Sequence, residues 1–274
     1  MEKLITRYCR TSKLPHIWCP GCGNGTIMAA IIRALDKTNV NQDKTVVVSG
    51  IGCSSRAPGY MNFDTLHTTH GRALAYATGI KMANPELNVI VITGDGDCAA
   101  IGGNHLIHAA RRNINLTVVV FNNSIYGMTG GQFSPLTPAH AYASTAPYGS
   151  IDRNFDLCQL AKAAGGTYVA RGTTYHTRQL VGLIANGLNH VGFSFIEAIT
   201  QCPMYYGRKN EFPTAIDMLK WQRDHAVNVK AAEKLNPDQL EGKFLIGELH
   251  REQAPEYTAV YEKEIVAKVR GETR

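Results

Sequence analysis

Strands and helices alternate along most of this chain, and the strands are uninterrupted apolar runs. TVVVSGIG (45–52), LNVIVITGDGD (87–97), NLTVVVFNN (115–123), TYVAR (167–171) and FSFIEAIT (193–200) read as buried strands. Between them, TIMAAIIRALDK (26–37), GRALAYATGIKMA (71–83), the stretch from Ala99 to Arg112, LCQLAKAAG (157–165) and TRQLVGLIANGLN (177–189) carry apolar residues at helical spacing. A strand that is apolar throughout is covered on both faces, which implies a parallel sheet between two layers of helices. The expected class is α/β, a doubly wound, mostly parallel sheet. Ligands bind such sheets beyond the carboxyl ends of the strands. Chemistry is therefore expected just after residues 50, 93, 121 and 200.

Charge divides the chain in two. Residues 1–209 hold 18 basic and 10 acidic residues, and residues 210–274 hold 10 and 12. We expect a weakly charged catalytic domain over 1–209 and a polar, partner-facing extension over 210–274, with helices in EFPTAIDMLKWQRDHAV and PEYTAVYEKEIVAKVR. The net charge of +6 is scattered, with no basic run longer than Arg111-Arg112. Phosphate tracking needs clustered cations, so nucleic acid is not an expected partner. The apolar runs are too short to span a bilayer, and MEKLITRYCR has no apolar core segment of a signal peptide. Seven cysteines cannot all pair. They read as thiols or metal ligands in a reducing, cytoplasmic compartment. The Gly-, Ser-, Thr- and Pro-rich stretch 124–156 is long for a loop, as lids and interface arms are.

The strand at 87–93 ends in Gly94-Asp95-Gly96, and twenty-five residues later the next ends in Asn122-Asn123. One crossover separates them, so the two tips should lie side by side. Glycine allows close backbone approach to a phosphate. Asp95 and Asn123 offer hard oxygens suited to Mg²⁺, and the helix expected from Ala99 points its amides at the same place. Either motif alone reads as a strand-to-turn junction. Together they resemble the thiamine-diphosphate motif of the thiamine-dependent enzymes. That resemblance implies Asp95, Asn123 and the Ile125 carbonyl as metal ligands, and Gly94, Gly96, Asp97 and Cys98 as neighbours of the diphosphate.

Cys19 and Cys22 form C-x-x-C in the loop WCPGCGNG, while Cys53 and Cys202 follow the strands 45–52 and 193–200. By position all four belong to the diphosphate edge. Four thiolates suffice for a 4Fe-4S cluster or a structural zinc, and C-x-x-C alone also reads as a redox dithiol. Cys9, Cys98 and Cys158 read as spare.

WCPGCGNG, SGIGCSSR, HTTHGRALAYATGIK, GDGDCAAIGGNHLIHAARRNINL, NNSIYGMTGGQFSP and QCPMYYGRKN, in that order over roughly residues 10–220, resemble the beta subunits of the 2-oxoacid:ferredoxin oxidoreductases, most of all those acting on 2-oxoglutarate. The resemblance implies the thiamine-diphosphate-binding (PP-type) fold and Cys19, Cys22, Cys53 and Cys202 as ligands of a 4Fe-4S cluster. It also implies coenzyme A-dependent oxidative decarboxylation of a 2-oxo acid to an acyl-CoA and CO2, with electrons passed through the cluster to ferredoxin. Pyruvate and branched-chain 2-oxo acids are alternative substrates. Arg56 corresponds to a basic substrate-binding residue, though a surface role is also open. His67 and His70 would lie near cofactor or substrate, with capping or core roles open. Arg72 reads as an anion partner or a salt bridge. His105 and His108 read as packing residues.

Residues 1–209 contain three glutamates, Glu2, Glu86 and Glu197, and one sheet domain. Thiamine enzymes need an activating glutamate and a second domain for the pyrimidine ring. An alpha subunit should supply both, with gamma and ferredoxin-like delta subunits completing some complexes. Two readings compete: half of a non-redox thiamine-dependent decarboxylase, and a zinc-stabilised interaction subunit.

Overall fold

The computed structural model describes residues 2–272. Its eight strands are β1 (Thr45–Ser49), β2 (Asp64–His67), β3 (Asn88–Gly94), β4 (Thr117–Asn122), β5 (Tyr168–Thr173), β6 (Ser194–Ile199), β7 (Ala226–Asn228) and β8 (Phe244–Arg251). They form one sheet in the order β2-β1-β3-β4-β6-β5-β8-β7. The first six pair in parallel. β8 joins β5 antiparallel, and β7 runs parallel to β8. The sheet is thus mostly parallel, as its apolar strands dictate: β4 and β5 are buried at every residue.

The main helices are α1 (Glu2–Tyr8), α2 (Asn24–Lys37), α3 (Ala57–Tyr60), α4 (Ala73–Ala83), α5 (Gly103–Arg111), α6 (Leu157–Ala163), α7 (Thr177–Leu188) and α8 (Ala215–His225). α2 and α7 cover one face, where Ile27, Ile31 and Leu35 meet Leu180 and Ile184. α4, α5 and α6 cover the other, where Leu74, Leu106 and Leu157 meet Val91, Val118 and Phe195. Truncating one such buried aliphatic to alanine costs about 2–5 kcal/mol. α6 is capped by Asp156, whose carboxylate accepts the Gln159 N–H.

Three differences from expectation have physical causes. The helix after Gly96 begins at Asp97 rather than Ala99, as a π-type turn over Asp97–Ile101 that leads into α5. Such turns gather at functional sites. Residues 210–274, expected as an extension, contribute β7 and β8 to the sheet. FLIGELHR reads poorly as a strand because β8 is only partly covered, and Glu248, His250 and Arg251 break its apolar run. β2 is a four-residue, half-exposed edge strand and carries no apolar run at all. The expected helix at 215–225 is present as α8, and helical turns run from Tyr257 to Val269.

The chain leaves β1 toward β2 and returns to β3 on its other side. That reversal opens a crevice between the tips of β1 and β3, the place where parallel α/β sheets bind ligands.

Candidate active site at the carboxyl edge of the sheet

A cavity of about 290 Å³ lies in this crevice, lined by the tips of β1, β3 and β4. It holds Gly94, Asp95, Gly96, Asp97, Asn123 and Ile125 from the two acidic and amide motifs, together with Cys53 and His70. The strand-tip argument thus brought distant motifs to one place. Gly96 is required by contact: a methyl carbon there would lie 2.2 Å from the Tyr126 ring. That ring is held by its hydroxyl, which donates to the Gly96 carbonyl at 3.2 Å.

Asp95 is 3% exposed. Burial lifts its pKa to about 7, against the pull of the Ser134 hydroxyl and the Gly96 backbone N–H. The Ser134 O–H donates to Asp95 Oδ2. A carboxylate so poor in compensating charge fits a divalent cation. On β4's tip, Asn123 Oδ1 accepts the Ile125 N–H at 3.2 Å. Between them Ser124 takes a left-handed φ of 60°, which turns the chain back over the cavity.

Asp97 behaves differently. Its Oδ1 accepts the Gly71 N–H at 2.7 Å and the Ile51 N–H at 3.3 Å, and its Oδ2 accepts the Thr93 hydroxyl at 2.6 Å. His70 Nδ1 stands 2.7 Å from the same Oδ1. Asp97 therefore ties three loops together, and both its oxygens are engaged. The Cys98 side chain is buried in the core cluster with Val48 and Leu74 and is not among the residues that line the cavity. Arg56 is exposed and does not line the cavity either. His67 Nδ1 meets the Ser49 hydroxyl at 3.0 Å, and Arg72 meets His105. His108 is exposed rather than packed.

The four cysteines come from three loops that hydrogen bonds hold together. The Trp18 indole N–H donates to the Cys53 carbonyl at 2.7 Å, joining loop 18–25 to the end of β1. The Gln201 side-chain amide donates to the Gly21 carbonyl at 3.1 Å, and the Gly23 N–H donates to the Gln201 carbonyl at 3.3 Å, joining the same loop to β6. Gly21 has φ +78°, and a methyl carbon there would lie 2.7 Å from Ala215 Cβ. A methyl carbon on Gly127 would stand 3.4 Å from Cys53 Sγ and 3.8 Å from Cys202 Sγ.

The thiols feel one another. Burial and then the neighbouring sulfurs of Cys202, Cys53 and Cys19 push Cys22 up to about 12, although the Asn24 N–H bonds its sulfur. Burial, Cys202 and Cys19 raise Cys53 to about 11. Burial also raises Cys202, against backbone N–H groups of Tyr205 and Tyr206. Four converging sulfurs, Cys202 buried, Cys22 and Cys53 half-buried and Cys19 exposed, with backbone donors at Cys22 and Cys202, fit a cationic centre that takes thiolates. Among the described residues, no three of these sulfurs lie within 4.8 Å of one another. One zinc at 2.3 Å from each sulfur would hold them about 3.8 Å apart. The donor set fits a larger iron–sulfur centre.

One residue of the site escaped the sequence reading. Asn24, the first residue of α2, lines the cavity, is 1% exposed, and has no partner for Nδ2 or Oδ1. A buried unpaired amide group costs about 1–3 kcal/mol, so this cavity is built for a polar occupant. Its position two residues after Cys22 was the available signal. Ser134 gave none, lying in the loop 39 residues beyond Asp95.

Comparison with known proteins agrees with this geometry. Residues 50–198 match the C-terminal TPP-binding domain of the thiamine pyrophosphate enzymes. The chain is 54% identical over 255 residues to the 2-oxoglutarate synthase subunit KorB of Methanothermobacter thermautotrophicus, covering 93% of this chain and 89% of that one. It is 51% identical over 266 residues to the same subunit of Methanocaldococcus jannaschii, covering 97% and 98%. A solved 2-oxoglutarate:ferredoxin oxidoreductase from Magnetococcus marinus, with 2-oxoglutarate, coenzyme A and succinyl-CoA bound, superposes with a TM-score of 0.86 at 34% identity, covering 97% and 90%.

Proposed function

The chain belongs to the beta subunits of the 2-oxoacid:ferredoxin oxidoreductases, and we propose that it acts on 2-oxoglutarate, converting it with coenzyme A to succinyl-CoA and CO2 while electrons pass to ferredoxin. One observation carries the reading: the two cofactor-motif tips line one cavity with Cys53, and the sulfurs of Cys19, Cys22 and Cys202 come together with Cys53 beside it. Thiamine diphosphate, when bound, supplies the carbon nucleophile that releases CO2 from a 2-oxo acid, and a 4Fe-4S cluster supplies a one-electron acceptor.

The chain's own residues hold these groups. Asp95, Asn123 and the Ile125 carbonyl hold Mg²⁺, with Ser134 keeping the Asp95 carboxylate in place. Gly94 and Gly96 allow the diphosphate close to the backbone. Asp97 braces the floor, with its Oδ1 2.7 Å from the Nδ1 of His70, a residue that lines the cavity. Cys19, Cys22, Cys53 and Cys202 ligate the 4Fe-4S cluster. Arg56 stands exposed three residues after Cys53 and pairs with a substrate carboxylate.

Partner chains complete the enzyme. An alpha subunit supplies the pyrimidine-binding domain and the activating glutamate, with gamma and ferredoxin-like delta subunits as further partners in a larger assembly. Tyr148 is 97% exposed and Ile151 90% in loop 124–156, as a partner-facing arm would be. Residues 1–209 carry the cofactors, and the turns at Tyr257–Val269 in the C-terminal segment face other subunits. Among the described residues no helix is long and apolar enough to cross a membrane; a cytoplasmic location is supported by the free thiols, which persist in a reducing compartment.

The test is an anaerobic assay of the complete complex against a panel of 2-oxo acids, with coenzyme A and a viologen dye. 2-Oxoglutarate should give the highest kcat/KM. Equal or better use of pyruvate or branched-chain acids would reassign the substrate, and absence of bound iron and sulfide would return the chain to a non-redox thiamine enzyme.

A further inference from the structure

A second cavity, of about 350 Å³, opens on the other side of the β4 tip, between loop 124–156, β6 and α8. It falls in the size range of small-molecule sites. Its walls are aromatic: Phe155, Tyr206, Phe212, Trp221 and Phe244. Tyr206 and Phe212 stack with each other, as do Trp221 and Phe244. Phe155 is 49% exposed and stacks on no other ring among the described residues.

The charges in this wall are already balanced. Arg171 is the one basic residue of the lining, and it gives Nε to Glu197 at 2.6 Å and Nη2 to Asp156 at 2.5 Å. A charged ligand would give up its hydration with no counter-charge free to replace it. What the wall still offers is hydrogens. Arg171 Nη1 has no partner among the described residues. Gln222 is 2% exposed and commits only its Oε1, to the Thr174 hydroxyl and the Tyr175 N–H, so its Nε2 donors are unspent. Burial raises the Tyr206 hydroxyl to about 12, so it keeps its proton. Flat walls, balanced charge and uncommitted donors select a flat, uncharged molecule with acceptor oxygens on its edge.

The cavity also backs onto the cysteines. Gln201 lines it and immediately precedes Cys202, while Tyr206 gives its backbone N–H to the Cys202 sulfur and its side chain to the cavity. Thr200, in the same wall, touches the loop of Cys22: a methyl carbon on Gly23 would lie 2.0 Å from the Thr200 hydroxyl oxygen. Single residues therefore separate the cavity from Cys22 and Cys202. We propose that this cavity binds a quinone, a neutral flat ring with two carbonyl acceptors, and that the cluster reduces it there, as an electron outlet separate from ferredoxin. The redox step rests on the cluster proposed above; the selection of a neutral ring does not. Oxidation of one 2-oxo acid with coenzyme A releases CO2, one proton and two electrons. The quinone takes both electrons, one at a time from the cluster, together with that proton and one from solvent. Its two carbonyl oxygens become hydroxyls, it leaves as the hydroquinone, and no bond to the protein forms. One quinone is consumed per acyl-CoA.

The test uses the complete complex, anaerobically purified, with menadione as the quinone and chromone, a two-ring ketone that is far harder to reduce, as its inert analogue. Menadione should be reduced with saturation kinetics, one per acyl-CoA formed, and chromone should compete against menadione but not against a viologen dye. Phe155→Ala, at an exposed position, should raise the menadione KM about tenfold, the worth of one ring–ring contact, and leave the viologen rate unchanged. Equilibrium dialysis of chromone against the oxidised complex without substrates reads the site apart from turnover, and its affinity should fall by the same factor in Phe155→Ala. A menadione KM within twofold of wild type in that variant, a rate that rises linearly with menadione, or indifference to chromone would overturn the proposal. So would loss of subunit assembly in Phe155→Ala with unchanged chromone affinity, since a partner chain would then fill the cavity. If instead the complex holds no iron while chromone still binds and Phe155→Ala weakens it, the electron outlet falls with the cluster and the site for a neutral ring stands.

Discussion

Two polar clusters sit at the same edge of this sheet and treat their charges in opposite ways. In and beside the cofactor cavity, Asn24 has no partner for its amide, Asp95 is buried with little compensation, and the thiols of Cys22, Cys53 and Cys202 are raised by burial and by neighbouring sulfurs. Beside it, Glu197 accepts Arg171 Nε at 2.6 Å, Asn122 Nδ2 at 2.7 Å and the Cys158 thiol at 3.3 Å, and Asp156 takes a second arm of the guanidinium. The second cluster also groups three metal-type ligands, Asp156, Cys158 and Glu197, within 4.8 Å. Arg171 already bonds two of them, so the charge a metal would bring is present. Burial of polar groups is common to both clusters; only the unpaired ones ask for a ligand.

Substitutions can break that contrast. The largest effect belongs to the unpaired cluster. Asp95→Ala should abolish thiamine diphosphate binding, measured by calorimetry with Mg²⁺, and Cys202→Ser should remove or destabilise the cluster, measured as iron content and visible absorbance. Retained tight binding, or an unchanged iron spectrum, would strike those residues from the site.

Next comes the saturated cluster. Arg171→Met leaves Glu197 buried without its cation and should cost about 3–5 kcal/mol of stability in denaturant titration. A loss under 1 kcal/mol would show that the pair is not needed for folding.

Asn24→Leu should act in opposite directions on two measurements. It should weaken thiamine diphosphate binding about tenfold, the worth of one buried hydrogen bond, yet leave the cofactor-stripped complex at least as stable as wild type, because an unpaired amide is gone. Lower stability with unchanged affinity would make Asn24 a structural residue. The smallest effect should be that of Cys158→Ala, about 1 kcal/mol for one lost hydrogen bond, with iron content unchanged. Against Cys202→Ser, it separates a cysteine of the saturated cluster from one of the open cluster.

How much of this was readable from residues alone depended on burial. β1, β3, β4, β5 and β6 were legible because strands covered on both faces leave no polar position to break the run. β8 was not, since Glu248 and His250 stand on a half-covered strand, next to the edge strand β7, whose pairing with β5 is irregular at Val169–Ala170. Asp95, Asn123 and the four cysteines were legible as motifs at strand tips, and the structure gathers them. Asp97 and Cys98 were not separable by sequence. They are neighbours in the chain, but one turns into the crevice and the other into the core, a difference made by the π-type turn that begins at Asp97.

Apolar periodicity by itself determined a parallel sheet and the edge at which polar residues collect, because the hydrophobic effect acts on each segment's own pattern. Only the folded chain decided which of those residues find partners. Ser134 reaches Asp95 across 39 positions, Glu197 reaches Asn122 across 75, and Asn24 reaches nothing. A hydrogen bond depends on where two distant groups come to rest, and that is a property of packing rather than of either segment.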